Sequence, residues 1–261
     1  MSARAIWKGE ISFGGVSVPV RFYSAVEDRK IHFRLLHEPD RTPVEQRMVD
    51  PRNGKPVPGE QIRRGVETDT GEIVMLSEEE LEGVVPEASR EIEITRFMRQ
   101  GKISYQWYDR PYYLGPDGGN ENYMALAWAL EKERKEGVAR WTMRKKRYVG
   151  ALNGENGRLK LITLRYAGEV IDAGAIPRPE GREFEPMELQ MAGQLVDALT
   201  GDFDPEAYRD EYQHRVRELI NTKALGNVYR FEKPKRRRPE TASLADTLEQ
   251  SLAGIRKQKS A

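Results

Sequence analysis

The stretch that decides the fold is Ala5-Ile6-Trp7-Lys8-Gly9-Glu10-Ile11-Ser12-Phe13-Gly14-Gly15-Val16-Ser17-Val18-Pro19-Val20-Arg21-Phe22-Tyr23-Ser24. Val16, Val18, Val20 and Phe22 alternate with Ser17, Pro19 and Arg21, the two-residue period of a strand with one buried face. Gly14-Gly15 separates this strand from a second β-rich run. Two adjacent glycines supply the positive φ angles that a tight hairpin turn needs. Taken alone, the period predicts an ordinary edge hairpin within residues 1–25.

Further along, residues 32–65 show weak periodicity and carry Pro39, Pro43, Pro51, Pro56 and Pro58. Asp50-Pro51-Arg52-Asn53-Gly54 is a turn signal within them. Pattern-poor segments of this length are usually functional or mobile. Strands are expected at 72–76, 91–98 and 102–108, followed by a loop at Asp117-Gly118-Gly119-Asn120. A helix is expected over 122–136, with Tyr123, Leu126, Ala127 and Leu130 as its apolar stripe and Gly137 at its stop. Two strands then follow at about 138–152 and 158–166, with Asn153-Gly154 read as the hairpin turn.

Beyond Pro177, Pro179 and Pro186 the pattern becomes helical. Leu189, Ala192, Val196 and Leu199 fall on one face of a helix over 187–199. Asp204-Pro205 reads as a cap and first residue of another that runs to about Ala224, with Tyr208, Tyr212, Val216 and Leu219 along one side. Lys233-Pro234-Lys235-Arg236-Arg237-Arg238-Pro239 has the composition of a disordered linker. After it, Leu244, Leu248, Leu252 and Ile255 sit at helical spacing. A short helix beyond a linker is marginal alone, so this stripe reads as a docking peptide.

Composition narrows the class. The chain has 261 residues, enough for one good core plus appendages; it is 38% hydrophobic, 33% charged and has no cysteine. Disulfides and thiolate metal sites are therefore excluded, and a reducing cytoplasm is the simplest location. No apolar run reaches membrane-spanning length and no signal peptide is expected. The net charge of +1 hides strong segregation. Residues 66–93 hold ten acids and one base, residues 138–150 five bases and no acid, and residues 230–238 six bases and one acid. Such sorting permits one strongly positive face on a nearly neutral protein.

The wording of the first stretch is more specific than its period. Together with Val57-Pro58, Ile62-Arg63-Arg64-Gly65, Leu76-Ser77-Glu78-Glu79-Glu80-Leu81, Ile92-Glu93-Ile94, Leu161-Ile162-Thr163-Leu164-Arg165-Tyr166 and Glu169-Val170, it resembles the bacterial Ku proteins, the end-binding factors of non-homologous end joining. The resemblance covers roughly residues 1–230. It implies a mixed β/α fold: a Ku-type β-barrel core over 1–180 with a DNA-bridging insertion at about 32–65, a helical dimerisation arm over 181–230, and a basic linker and ligase-docking tail over 231–261. It further implies a ring-shaped homodimer on double-stranded DNA ends, an ATP-dependent DNA ligase D as partner, and a nucleoid-associated place in the cytoplasm. Many relatives carry cysteines in the region matching residues 37–50, some reading as a zinc site. This chain has Glu38-Pro39-Asp40 and Val49-Asp50-Pro51 there, so neither a metal nor another cofactor is expected.

The residues favour binding over catalysis. His32, His37 and His214 have no nucleophile motif, and no phosphate-binding loop is present. A binder of arbitrary broken ends should touch phosphates, which carry affinity without sequence information. The candidate contacts are Arg34, Arg47, Arg52, Lys55, Arg63 and Arg64 in the insertion, with Arg41 nearby, and Arg144 and Lys146 on a shared strand face. On the same single strand, Trp141 and Tyr148 should face opposite ways. Leu244, Leu248, Leu252 and Ile255 are the candidate ligase contacts. Three alternatives stand beside this reading, one of them a pure scaffold that would need only the arm and the tail. Trp107, Tyr108, Tyr112 and Tyr113 could stack bases in a single-strand binder. Asp117 with Glu133-Arg134-Lys135 is the nearest approach to a metal-dependent nuclease.

Overall fold

The computed structural model describes residues 4–178, 180–226 and 244–259, the side chains of residues 246 and 254–259 excepted. The chain divides into two compact units, Met1–Ala175 and Ile176–Ala261. The first contains β1 (Trp7–Phe13), β2 (Val16–Ser24), β3 (Arg64–Glu67), β4 (Ile73–Leu76), α1 (Glu78–Gly83), β5 (Glu91–Arg99), β6 (Tyr108–Pro116), α2 (Asn120–Lys132), β7 (Lys135–Met143), β8 (Lys146–Glu155) and β9 (Arg158–Leu164). Seven of these strands close a barrel in the order β1-β2-β6-β9-β8-β7-β5, while β3 and β4 form a separate two-stranded ribbon.

The opening hairpin is part of the barrel wall. Ile11, Val18, Val20 and Phe22 are fully buried, so the alternating pattern points into the barrel, where each such side chain contributes about 1.5–3 kcal/mol. Only Val16, beside the turn, stays exposed. Gly14 and Gly15 have φ of 51° and 82°, as the turn requires. Ile92, Leu114, Trp141, Leu152, Leu159 and Leu161 complete the core. All wall pairings are antiparallel except β1 with β5, which is parallel in the register Ile11↔Ile92.

Helix α2 packs on β8. It buries Tyr123, Leu126, Ala127 and Leu130, the stripe expected from the sequence. The Tyr123 hydroxyl donates to the Leu114 carbonyl at 2.5 Å and accepts from the Leu159 N–H at 2.9 Å, joining the helix to two wall strands. Asn153-Gly154 is not the hairpin turn. Both residues lie within β8, and the turn is Asn156-Gly157, with φ of 51° and 67°. Gly154 has a packing role: a Cβ there would run into the Ala127 carbonyl of α2. Two further expectations fail locally. Residues 138–152 are two strands, β7 and β8, with a reversal at Arg144-Lys145. The strand expected at 102–108 is a 3₁₀ turn, Tyr105–Trp107, and the wall strand follows it as β6. Pro111 sits beside the register irregularity of β6, which disguised that strand.

The second unit contains α3 (Pro186–Leu199), α4 (Glu211–Ala224) and α5 (Leu244–Lys259). The helix expected from Asp204 to Ala224 is interrupted. Asp204 caps only a 3₁₀ turn, Pro205–Ala207, and Asp210 caps α4 by accepting from the Gln213 N–H at 3.0 Å. Tyr208 therefore lies outside the helix. The segment Lys235 to Arg238 and the Ile255 side chain lie outside the described residues.

One buried carboxyl stands out. Glu136 is 2% exposed; its Oε2 accepts from the Tyr108 hydroxyl at 3.1 Å, and its Oε1 has no hydrogen-bond partner among the described residues. Burial raises its pKa above the ordinary glutamate value, and the hydrogen bond from Tyr108 opposes that only in part. Tyr108 itself is pushed up to about 12 by burial and the facing carboxylate. Because the folded pKa of Glu136 is raised, its cost is absent below the ordinary carboxyl range and grows as pH rises through the raised value. Glu136→Gln should therefore raise the thermal unfolding midpoint at pH 8 and leave it unchanged at pH 4. Gly154→Val should lower stability by about 1–3 kcal/mol, the usual cost of overpacking, in denaturant unfolding at either pH.

Candidate nucleic-acid interface

Strand direction collects the candidate residues at one end of the barrel. The end of β2, the start of β5, the end of β7 and the start of β8 meet at a common rim through the registers Trp7↔Phe22, Ile92↔Trp141 and Met143↔Lys146. The Gly14-Gly15 and Asn156-Gly157 turns and α2 occupy the other end. The rim therefore carries both the excursion between β2 and β5, residues 25–90, and the β7–β8 turn with its run Arg144-Lys145-Lys146-Arg147. The sequence assigned only residues 32–65 to the insertion. Its return limb also includes the ribbon β3–β4 and α1.

Two small loops shape the outgoing limb, closed by bridges at Leu36↔Pro43 and Val49↔Pro56. An aspartate holds each loop. Asp40 accepts from the Thr42 N–H at 3.1 Å and the Thr42 hydroxyl at 2.9 Å, and pairs with His37 Nδ1 at 2.7 Å. Asp50 accepts from the Arg52 guanidinium at 3.1 and 3.2 Å, the Arg52 N–H at 3.0 Å and Asn53 Nδ2 at 2.9 Å. The Thr42 backbone bond foremost holds Asp40 below the usual carboxyl range, and the Arg52 guanidinium foremost does so for Asp50.

The six insertion candidates are all exposed. Arg47 pairs with Glu45 at 3.5 Å, and Arg52 is oriented by Asp50. Arg63 donates to the carbonyls of Glu60 and Ile62 at 2.6 and 3.1 Å. Arg34, Lys55 and Arg64 make no ion pair among the described residues.

The second group is arranged differently from the sequence expectation. Arg144 and Lys145 are the two central residues of the β7–β8 turn, with φ of 52° and 62°. The chain reverses between Arg144 and Lys146, so the two do not share a strand face. The same reversal makes Trp141 and Tyr148 cross-strand partners, with rings stacked 5.4 Å apart at 18°, where a single strand would have opposed them. Left-handed turn positions favour asparagine and glycine. Holding two long bases there costs on the order of 1 kcal/mol each. Lys145 reaches Glu82 on α1 at 3.3 Å, and Lys146 lies 5.8 Å from the Tyr148 ring centre. Arg147, which is not among the candidates named from the sequence, lines a rim cavity of about 410 Å³ with Arg140, Trp141, Tyr148 and Tyr166. The four-base run already contained its signal.

The alternatives find less support. Tyr112 is a core residue at 5% exposure, and Tyr108 is tied to Glu136. Tyr113 is exposed with Lys160 over its ring. These residues form no open stacking platform. Asp117 is engaged by Lys8 at 3.0 Å and Arg21 at 2.5 Å. The bonds from Lys8 and Arg21 lower its pKa. Glu133 caps the end of α2. Among the described residues no group of three or more His, Cys, Asp or Glu side chains could hold a metal ion, and no helix is long and apolar enough to cross a membrane.

Comparison with known proteins agrees with this geometry. Residues 12–191 match the family model described as "Ku70/Ku80 beta-barrel domain". The chain is 36% identical over 256 residues to non-homologous end joining protein Ku 2 of Geotalea uraniireducens (strain Rf4), covering 98% of this chain and 100% of the relative. It is 37% identical over 257 residues to non-homologous end joining protein Ku of Anaeromyxobacter sp. (strain K), covering 98% and 87%. With the protein of the same name from Mycobacterium tuberculosis (strain ATCC 25618 / H37Rv) it shares 32% identity over 259 residues, covering 97% and 95%. By name these relatives are non-homologous end joining proteins, and the family that the model and the relatives share is one of DNA-repair proteins that are not enzymes. The barrel, its rim and the near-full-length similarity together show that the chain belongs to the Ku family of non-homologous end joining proteins.

Proposed function

We propose that the chain binds the ends of duplex DNA without sequence preference, as a ring-shaped homodimer, and recruits an ATP-dependent DNA ligase D through its tail. The observation that carries this reading is the surplus length of the rim excursion. β2 and β5 flank β1, and Ser24 and Glu91 are also offset by about five residues along it, so the two ends of the excursion lie on the order of 20 Å apart. A few residues would bridge that gap, yet the chain spends residues 25–90 on it. A segment anchored at both ends on a closed barrel can arch over a cylinder without being lost into solvent. Its exposed bases, with those of the β7–β8 turn, suit phosphate contact, which is indifferent to sequence.

The second unit supports a dimer. Leu189, Val196, Leu199, Phe203, Tyr208 and Tyr212 are between 58% and 77% exposed. So much uncovered apolar surface on α3, α4 and the segment between them fits an obligate partner, and a second copy of the chain satisfies it. A cytoplasmic, nucleoid-associated location follows from the same role. Light scattering at low micromolar concentration should give twice the chain mass; a clean monomer would overturn the homodimer.

The turn residues separate affinity from stability. Arg144→Asn combined with Lys145→Gly gives the turn its preferred residues and removes two bases. Thermal stability should rise, because the exposed Lys145–Glu82 pair is worth little. Affinity for all duplex sequences should fall alike, with the logarithmic salt slope reduced by about 0.9 for each phosphate that the variant no longer neutralises. A changed sequence preference at constant slope would contradict phosphate binding.

Topology gives the decisive test. A ring must be threaded, so covalently closed circles should compete poorly with short linear duplex in gel shifts at several salt concentrations. Bulky hairpins at both ends should block loading, and ligation after loading should trap the protein on the circle. Equal competition by closed circles, per base pair, would replace the ring with an open groove. Preferential competition by single strands would favour a single-strand binder instead.

A further inference from the structure

We propose that the tail helix α5 is held against the arm of its own chain, so that a ligase must displace α3 to reach it. The proposal rests on the reading of α5 as the ligase-docking element and adds a regulatory step to it. Within the second unit, α5 packs against α3. The half-buried positions of α3 are Glu188, Met191, Ala192, Leu195 and Ala198, a single stripe at helical spacing. Those of α5 are Ala245, Leu248 and Leu252, again one stripe. Leu248 and Leu252 are two of the four residues expected to dock the ligase. The docking face and the arm-facing face are therefore the same surface, and the two partners exclude each other.

The contact is built to yield. The α3 stripe contains two alanines and the edge of a glutamate, and no residue of α3 is fully buried. Such a shallow cradle supplies little apolar area, so closure relies on the tether through residues 227–243, which makes the encounter intramolecular. The exposed Leu189 and Val196 lie about a third of a turn away around α3 and stay uncovered while α5 is seated. The closed tail thus leaves that apolar stripe available to a second copy.

The test uses the full-length chain and the purified ligase. In hydrogen–deuterium exchange, the α5 amides should be protected in the wild type and lose that protection in Leu195→Asp. Ligase affinity should then rise about tenfold, the gain expected when an open population of about a tenth becomes complete. The milder Leu195→Ala should fall between the two, which covers the case in which Leu195→Asp disturbs the arm. DNA-end binding should be unchanged in both. Unprotected α5 amides in the wild type would overturn the closed contact. Exposure of α5 without a gain in ligase affinity would overturn the competition, while leaving the docking assignment intact. A synthetic peptide of residues 243–259, free of α3, tests the underlying assignment. It should bind the ligase, and the Leu248→Ala, Leu252→Ala peptide should not. If the wild-type peptide fails to bind, the docking assignment falls and the regulatory proposal with it, whatever the exchange data show.

Discussion

Parallel pairing of β1 with β5 is the contact on which the first unit depends. It is the only parallel seam of the barrel, and it closes the sheet on itself. Closure removes the exposed edges that would otherwise invite pairing with other chains. It also fixes both feet of the 25–90 excursion at one rim. Without that seam β5, held only by β7, would be the far edge of an open sheet and the excursion would run from β2 across to it; with the seam, a long and weakly structured segment leaves and returns on either side of β1.

The rest of the rim follows from the same closure. Strand β7 must end where β5 begins, so the β7–β8 turn arrives beside the excursion, and Lys145 reaches Glu82 on its return limb. Two bases occupy left-handed positions that glycine would fill at lower cost. The protein tolerates that strain within a run of four consecutive bases, Arg144 to Arg147. An Asn-Gly pair at these positions would relieve that strain, so the turn is not the one that folding alone would select. The opposite end of the barrel shows the converse economy: Gly154 sits within a strand because α2 approaches too closely for any side chain.

The second unit is organised by partial burial. None of the residues of α3 or α4 is fully buried. Among the described residues, much of the apolar surface of these two helices is uncovered. α3 carries two apolar stripes, one facing α5 and one uncovered, which gives a short helix room for two partners at once.

Much of this was legible in the residues. The alternation from Val16 to Phe22, the glycine pair before it and the stripe of α2 required only local periodicity, and each reappears in the structure. The segregation of charge located the basic run at 144–147 and the acidic return limb. Periodicity could not show that residues 138–152 fold back on themselves, because the turn uses Arg144-Lys145 in place of a glycine-bearing signal. Asn153-Gly154 offered that signal in the wrong place, since glycine also serves close helix packing. Sequence alone therefore determined the strand face of the opening hairpin, the stripe of α2 and the sorting of charge, all of which depend on neighbours within a few residues. Only the tertiary structure decided which strand ends share a rim, which bases stand together there and which face of the arm receives the tail, because those depend on pairing between residues far apart in the chain.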